Sequence, residues 1–205
     1  MSSMDHPHHE TWPRSIHDRD GNAYVLRPMQ ISDFDVVKGF FHAMPREDRM
    51  FLRYDVEGSQ QFEHRLIETL RHPRSLRLLA FRDGILAGHG LLEPNPHLWS
   101  QHVGEVRVIV REGFKHKSLG SIILRELVDQ AGLRGFDKLT ARIMDSQNAV
   151  RKMCERVGFS AEAELKNHVM DLDGKKHTML VMSCSLDDAW HAMELLLSDV
   201  APWAR

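Results

Sequence analysis

The sequence predicts an α/β (α+β) domain built on a mixed, mostly antiparallel central sheet flanked by helices. Three observations carry this reading. Three tight-turn motifs, Asp20-Gly21-Asn22, Asp83-Gly84 and Asp173-Gly174, each stand between strand-like runs, the pattern of antiparallel hairpins. Between the hairpins lie segments whose apolar residues recur at helical spacing. A β-branched run, Val103 to Val110, passes through a short basic loop straight into such a segment, so strand and helix alternate in the middle of the chain. With 205 residues there is enough chain for one domain with a substantial core.

Taken in order, Met1 to Glu10 is polar and carries His6, His8 and His9. A histidine cluster could bind a transition metal, but without other spaced ligands the segment reads as a frayed tail. Trp12 to His17 and Ala23 to Met29 pair across the first turn. Ser32-Asp33 offers an N-cap to a helix carrying Phe34, Val37, Phe40 and Phe41, and Pro45 stops it. Arg46 to Arg53 is a short helical turn. Ser59 to His72 is a helix, apolar at Phe62, Leu66, Ile67 and Leu70, with Pro73 just beyond. Leu76 to Arg82 and Ile85 to Leu92 make the clearest hairpin.

After the central strand a helix runs from about Ser118 to Arg134, its buried stripe formed by Leu119, Ile122, Ile123, Leu127 and Ala131. Leu139 to Met144 is a strand. Asn148 to Arg156 is a helix that Asn148 caps and Gly158 closes. Phe159 to Leu172 and Lys175 to Leu186 form the last hairpin, and Asp187 to Val200 a terminal amphipathic helix with Trp190 on its apolar face. Trp190 and Trp203 read as cover for the core or for a partner in a homodimer.

Composition excludes several classes. A net charge of -2 forces no strongly basic face, which argues against nucleic acid as the main partner. No apolar run approaches the roughly 18 residues of a membrane span, and no basic-then-apolar secretion signal opens the chain, so the expected location is cytoplasmic. Cys154 and Cys184 have no paired metal-ligand spacing and read as reduced thiols. The fourteen histidines include no His-x-x-x-His with a partner glutamate, and no metal is expected.

The chemistry-bearing stretch is Gly104 to Ser121. A strand, a loop of little bulk and a helix whose first amides have no internal partner make an anion site, since both the free N–H groups and the dipole favour negative charge. Lys115, His116 and Lys117 add electrostatic pull. A phosphate is the expected ligand. The loop is neither a Walker loop, lacking Gly-Lys-Ser/Thr, nor a dinucleotide fingerprint, lacking Gly-x-Gly-x-x-Gly.

Lys115, Ser118 and Gly120 stand at the three marked positions of a Gln/Arg-x-x-Gly-x-Gly/Ala loop, and the stretch resembles motif A of the GNAT (GCN5-related) N-acetyltransferases. Lys115 replaces Gln or Arg there, and Ser118 replaces the first glycine. Asn148 to Phe159 resembles motif B of the same family, and Leu26-Arg27-Pro28 with Ser32-Asp33 resembles its first strand and helix entry. The resemblance implies the GNAT acyl-CoA N-acyltransferase fold over 20–186, a flexible segment 1–19 and a C-terminal helix and tail 187–205. It implies acetyl-CoA as cosubstrate, its pyrophosphate on the loop His116, Lys117, Ser118, Leu119, Gly120 and Ser121 beside Lys115. The pantetheine arm would lie against Val108, Ile109 and Val110 and touch Asn148. Asp20-Gly21, Phe40-Phe41 and Glu105 resemble more narrowly the bacterial protein-lysine acetyltransferases.

Acyl transfer to an amine needs the amine neutral, whereas a lysine-like amine has a pKa near 10.4. Glu105 is the candidate base. On a strand it shares a face with Arg107 and Ile109, while Val106, Val108 and Val110 face the other way. The competing reading of Glu105 is an exposed strand glutamate or an ion pair. Cys154 stands where many GNAT enzymes carry a tyrosine that reprotonates the departing thiolate; the competing reading is a small buried apolar residue. The expected activity is transfer of an acetyl group to a primary amine, of a protein lysine or a small molecule. The alternative is a GNAT-like module that binds or senses acyl-CoA with little turnover.

Overall fold

The three turns read from sequence set the order of the sheet. Asp83 and Gly84 both take positive φ, 51° and 75°, as the mirror-image two-residue hairpin turn demands, and Gly21 and Gly174 take φ of 81° and 80° at the other two. The structure, a computed structural model, describes residues 11–52, 54, 56 and 60–192. Its strands are β1 (Arg14–His17), β2 (Ala23–Pro28), β3 (Leu76–Arg82), β4 (Ile85–Pro94), β5 (Val103–Val110), β6 (Lys138–Met144), β7 (Ser160–Met170) and β8 (Lys176–Ser185). Its helices are α1 (Phe34–His42), α2 (Arg46–Arg49), α3 (Gln60–Arg71), α4 (Leu119–Leu133) and α5 (Asn148–Arg156).

All eight strands form one sheet in the order β1-β2-β3-β4-β5-β6-β8-β7. Every neighbouring pair is antiparallel except β5 and β6, which α4 joins as a crossover. The mixed, mostly antiparallel sheet flanked by helices is the architecture expected.

The two faces of the sheet bury different layers. On one, Leu119, Ile123, Leu124, Leu127 and Val128 of α4 pack into the larger core with Leu78, Leu92, Val106 and Leu139. Gly88 and Gly90 let that helix lie close on β4, because a Cβ on either would stand 2.7 or 2.6 Å from Ile123. On the other, Val37, Phe40 and Phe41 of α1 and Phe62 and Leu66 of α3 cover Leu79 and Ile109.

Several expectations need correction. The segment 1–19 is not wholly loose, since Arg14 to His17 pair in register with Leu26 to Ala23 of β2. Ser118 holds the N-cap position of α4 but makes no side-chain capping bond; its φ is 73°, and the loop conformation rather than the hydroxyl fixes the helix start. Asn148 is the first residue of α5 and Gln147 occupies the cap position. The side chain of Gln147 instead accepts the Met144 N–H at 2.9 Å, tying the helix back to β6. Helical turns follow β8 from 186 to 192, and Trp190 packs against Gly132, where a Cβ would meet its ring at 2.9 Å. The rest of the expected terminal helix, Trp203, Ser59 and the N-terminal histidines lie outside the described residues.

Candidate active site

The β5–β6 ladder is short. Val103, Gly104 and Glu105 pair with Lys138, Leu139 and Thr140, and the pairing stops there. Beyond it β5 keeps its antiparallel partner β4 as far as Val110, while β6 keeps β8 as far as Met144. The two strands therefore fork, and a cavity of about 400 Å³ opens between them. One wall is Val106 to Val110; the other is Ala141, Arg142 and Ile143, with Asn148, Val150, Met153 and Cys154 of α5. An extended chain lying in the fork can pair with a strand edge as a further strand would.

The loop at the end of β5 is braced from behind. Arg19, in the turn between β1 and β2, donates its backbone N–H to the Lys117 carbonyl at 3.0 Å and its Nη2 to the His116 carbonyl at 3.2 Å. That turn is built around Asp18, whose carboxylate accepts from the Asn22 and Asp20 N–H groups, the Asn22 side chain and the Tyr24 hydroxyl. Burial works to raise its pKa, but these donors overcome it and hold the carboxyl at about 2. With the loop carbonyls taken by Arg19, the amides at the start of α4 remain to meet an anion; the first helical bond there is from the Ile122 N–H to the Ser118 carbonyl.

Both His116 and Ser118 take left-handed conformations, φ 64° and 73°. The family loop has glycine where Ser118 stands, and glycine reaches that region without steric cost. Gly120 backs onto the fork. A Cβ there would stand 3.1 Å from Met153 Sδ and 3.5 Å from Val110 Cγ2, both in the cleft wall, so its hydrogen keeps that end open. The fork, the free amides and the Gly120 cradle fit the elongated, phosphate-bearing cosubstrate that the sequence implies.

The other expected contacts divide. Val108, Ile109, Val110, Lys115, His116 and Asn148 line the cleft. Leu119 is buried in the core, so only its N–H can serve a ligand. Lys115 is not a free cation: its Nζ lies 2.7 Å from Asp48 of α2 and 2.8 Å from Glu112. These pairs raise its pKa against the opposing effect of burial, and they strap α2 to the loop. Arg46 extends the strap, meeting Asp173 at the β7–β8 turn at 2.6 Å.

Glu105 does not line the cleft. It sits at the crotch of the fork, largely buried, opposite Glu93 on β4 and Thr140 on β6, with Arg142 Nε 3.7 Å from its Oε2. Glu93 is taken up by Arg65 of α3 at 2.6 Å. Cys154 lines the cleft but is 2 % exposed, and burial pushes its thiol up to about 12. Sequence reasoning missed Asp48, Gln147, Arg142 and Glu93. Of these only Gln147, next to the expected cap, had a local signal.

A family model described as the acetyltransferase (GNAT) family matches residues 41–159, more than half of the chain. No curated protein matches the sequence. Among solved structures, a GNAT-family acetyltransferase from Streptococcus pneumoniae superposes with a TM-score of 0.70 at 19% identity, covering 79% of this chain and 99% of its own. The GNAT domain of S. lividans PAT gives 0.70 at 17%, covering 85% and 97%. A Salmonella typhimurium protein, yncA, solved with its cofactor acetyl-CoA, gives 0.64 at 17%, covering 80% and 94%. At such identities these likenesses speak for the fold, which is the forked-sheet fold described above. With the family match spanning the loop, the fork and α5, the chain belongs to the GNAT family of acetyltransferases.

Proposed function

We propose that the chain is an acetyl-CoA-dependent N-acetyltransferase acting on a primary amine, with Glu105 as general base. The observation that carries this is the carboxylate at the crotch of the fork, where the cleft wall and the side-chain face of β5 meet. Bound acetyl-CoA supplies an acyl group already activated as a thioester.

The chain's own residues do the rest. The amides at the start of α4 hold negative charge, and the forked edge of β5 orients an extended arm. Glu105 takes the proton of the amine directly or through one water, which an acceptor with a pKa near 10.4 requires at neutral pH. Cys154 is packing rather than an acid. With its pKa pushed up to about 12, giving a proton to an ordinary thiolate, pKa near 8.5, would run uphill by roughly 5 kcal/mol. A protein lysine, as in the bacterial protein-lysine branch, and a small amine are both compatible with this chemistry.

The weak proton donor at position 154 and the engaged Lys115 favour a second reading, a module that binds acyl-CoA with little turnover. Thiol release from acetyl-CoA, measured with a lysine-rich protein and with a panel of small amines, separates the two. The enzyme reading expects turnover that Glu105→Gln lowers by about 10²- to 10⁴-fold with acetyl-CoA affinity unchanged, and that Cys154→Ala leaves within a few-fold. Near-native turnover in Glu105→Gln would remove the base assignment. Saturable binding with no turnover on any amine would favour the module.

A further inference from the structure

The loop that follows β5 is held in a conformation its own residues do not favour. From His116 to Ser118 the sign of φ changes at each step: 64° at His116, negative at Lys117, 73° at Ser118. Positive φ is costly for a residue with a Cβ, and a serine left to itself rarely adopts it. Such a backbone persists only where its surroundings hold it.

The holding groups come from the turn between β1 and β2. Arg19 donates its Nη2 to the His116 carbonyl at 3.2 Å and its backbone N–H to the Lys117 carbonyl at 3.0 Å. The turn is itself fixed. Asp18 gathers donors from Asp20, Asn22 and Tyr24, and the Tyr24 ring meets Phe114, in the same loop, edge-on with centroids 6.3 Å apart. A trans peptide is planar, with its C=O and N–H pointing opposite ways. Capture of the 116 and 117 carbonyls by Arg19 therefore turns the Lys117 and Ser118 N–H groups to the far side of the loop. Neither has a hydrogen-bond partner among the described residues.

We propose that Arg19 is a positioning residue for acetyl-CoA. By holding two carbonyls from behind, it keeps the 117 and 118 amides aimed at the diphosphate, and it compensates for the glycine that the family loop has where this chain has Ser118. The proposal rests on the acetyltransferase reading above. Glycine visits positive φ about as readily as negative, so a loop with glycine at that position needs little holding. With serine, the same loop relaxes once the brace is cut. Arg19 is not among the residues lining the cleft, and 71% of its side chain is exposed, so its removal disturbs no core.

The test is a double-mutant cycle on the full chain: native, Arg19→Ala, Ser118→Gly and the pair. The dissociation constant of acetyl-CoA is measured by calorimetric titration, with the melting temperature of the unliganded protein beside it. Arg19→Ala keeps the backbone bond to Lys117 and removes only the side-chain one. The expected loss of affinity is about 10-fold, the low end for a hydrogen bond from a charged donor, as suits an exposed side chain. The unliganded melting temperature should stay within about 2 °C of native. In the Ser118→Gly background the same substitution should cost no more than about 3-fold, since the two positions are coupled through one loop. With an amine that is turned over, KM for acetyl-CoA should rise with the dissociation constant while kcat stays within about 2-fold. A general structural role would instead lower the melting temperature and cost the same in both backgrounds. Unchanged affinity in Arg19→Ala, an equal loss in both backgrounds, or a fall in kcat without a change in affinity overturns the proposal. Failure of the native chain to bind acetyl-CoA overturns the acetyltransferase reading, and the proposal with it.

Discussion

The cleft and a small chamber of about 40 Å³ on the α1/α3 face of the sheet both border β5, and they are made of different materials. The cleft is walled largely by valines, Ala141, Ile143 and Met153, with Lys115, His116, Arg142 and Asn148 also lining it, and what its shape exposes is the backbone of β5 beyond the end of the β5–β6 ladder and the amides at the start of α4. The chamber is polar through side chains delivered by four elements: Arg65 from α3, Arg77 from β3, His89 and Glu93 from β4, and Arg107 from β5. A backbone site is specified by the path of the chain, so few side chains are needed to keep it. A cavity lined by side chains is specified one residue at a time.

If that contrast is right, the cleft should break where the path of the chain is disturbed. The largest effect is expected at Gly120→Leu, which drives a side chain into Met153 and Val110. At 100 times the dissociation constant acetyl-CoA should stabilise the native protein by about 2.7 kcal/mol, and the variant should lose that shift while melting normally without ligand. Gly120→Ala should keep most of it, because its nearest neighbour is the flexible end of Met153. A Leu variant that binds normally would mean that acetyl-CoA does not pass Gly120.

A smaller effect, with a distinctive pH dependence, is expected at Asp18→Asn, which loosens the turn that braces the loop. The native carboxyl sits at about 2, below its ordinary value of 3.8, so its contribution is present above about pH 4 and lost as pH falls toward 2. Melting curves should show the variant less stable at pH 7, with the gap closing below pH 4. A gap that stays constant across that range would show that the charge of Asp18 contributes nothing to the turn.

The smallest effect concerns Ser118. Its φ of 73° is one that glycine adopts freely, so Ser118→Gly should raise stability by about 1 kcal/mol, or 2 to 4 °C in a domain of this size, with acetyl-CoA held at least as tightly. A tenfold loss of affinity would show the hydroxyl itself on the phosphate, and the cleft would then depend on side chains as well.

The same contrast explains what could be read from the sequence. The hairpins were legible because Asp83-Gly84 and its counterparts encode their turns in adjacent residues, and α4 because its apolar stripe is local. The loop was legible as a spacing, but its two caps were not. Ser118 and Asn148 look like capping residues, yet a left-handed backbone at 118 and a one-residue offset at Gln147 depend on how the loops close. The chamber was invisible. Arg77, His89 and Arg107 each sit in a strand where an isolated polar residue reads as a solvated position, and only the β3–β4–β5 register brings them together.

The end of the β5–β6 ladder at Glu105 and Thr140 bears on how such a protein can diversify. Past that point the edge of β5 offers backbone groups, which any residue except proline supplies in full, whatever side chains stand at 105, 107 and 109. Substitutions of side chains on that strand can therefore accumulate without removing the backbone groups that the fork exposes.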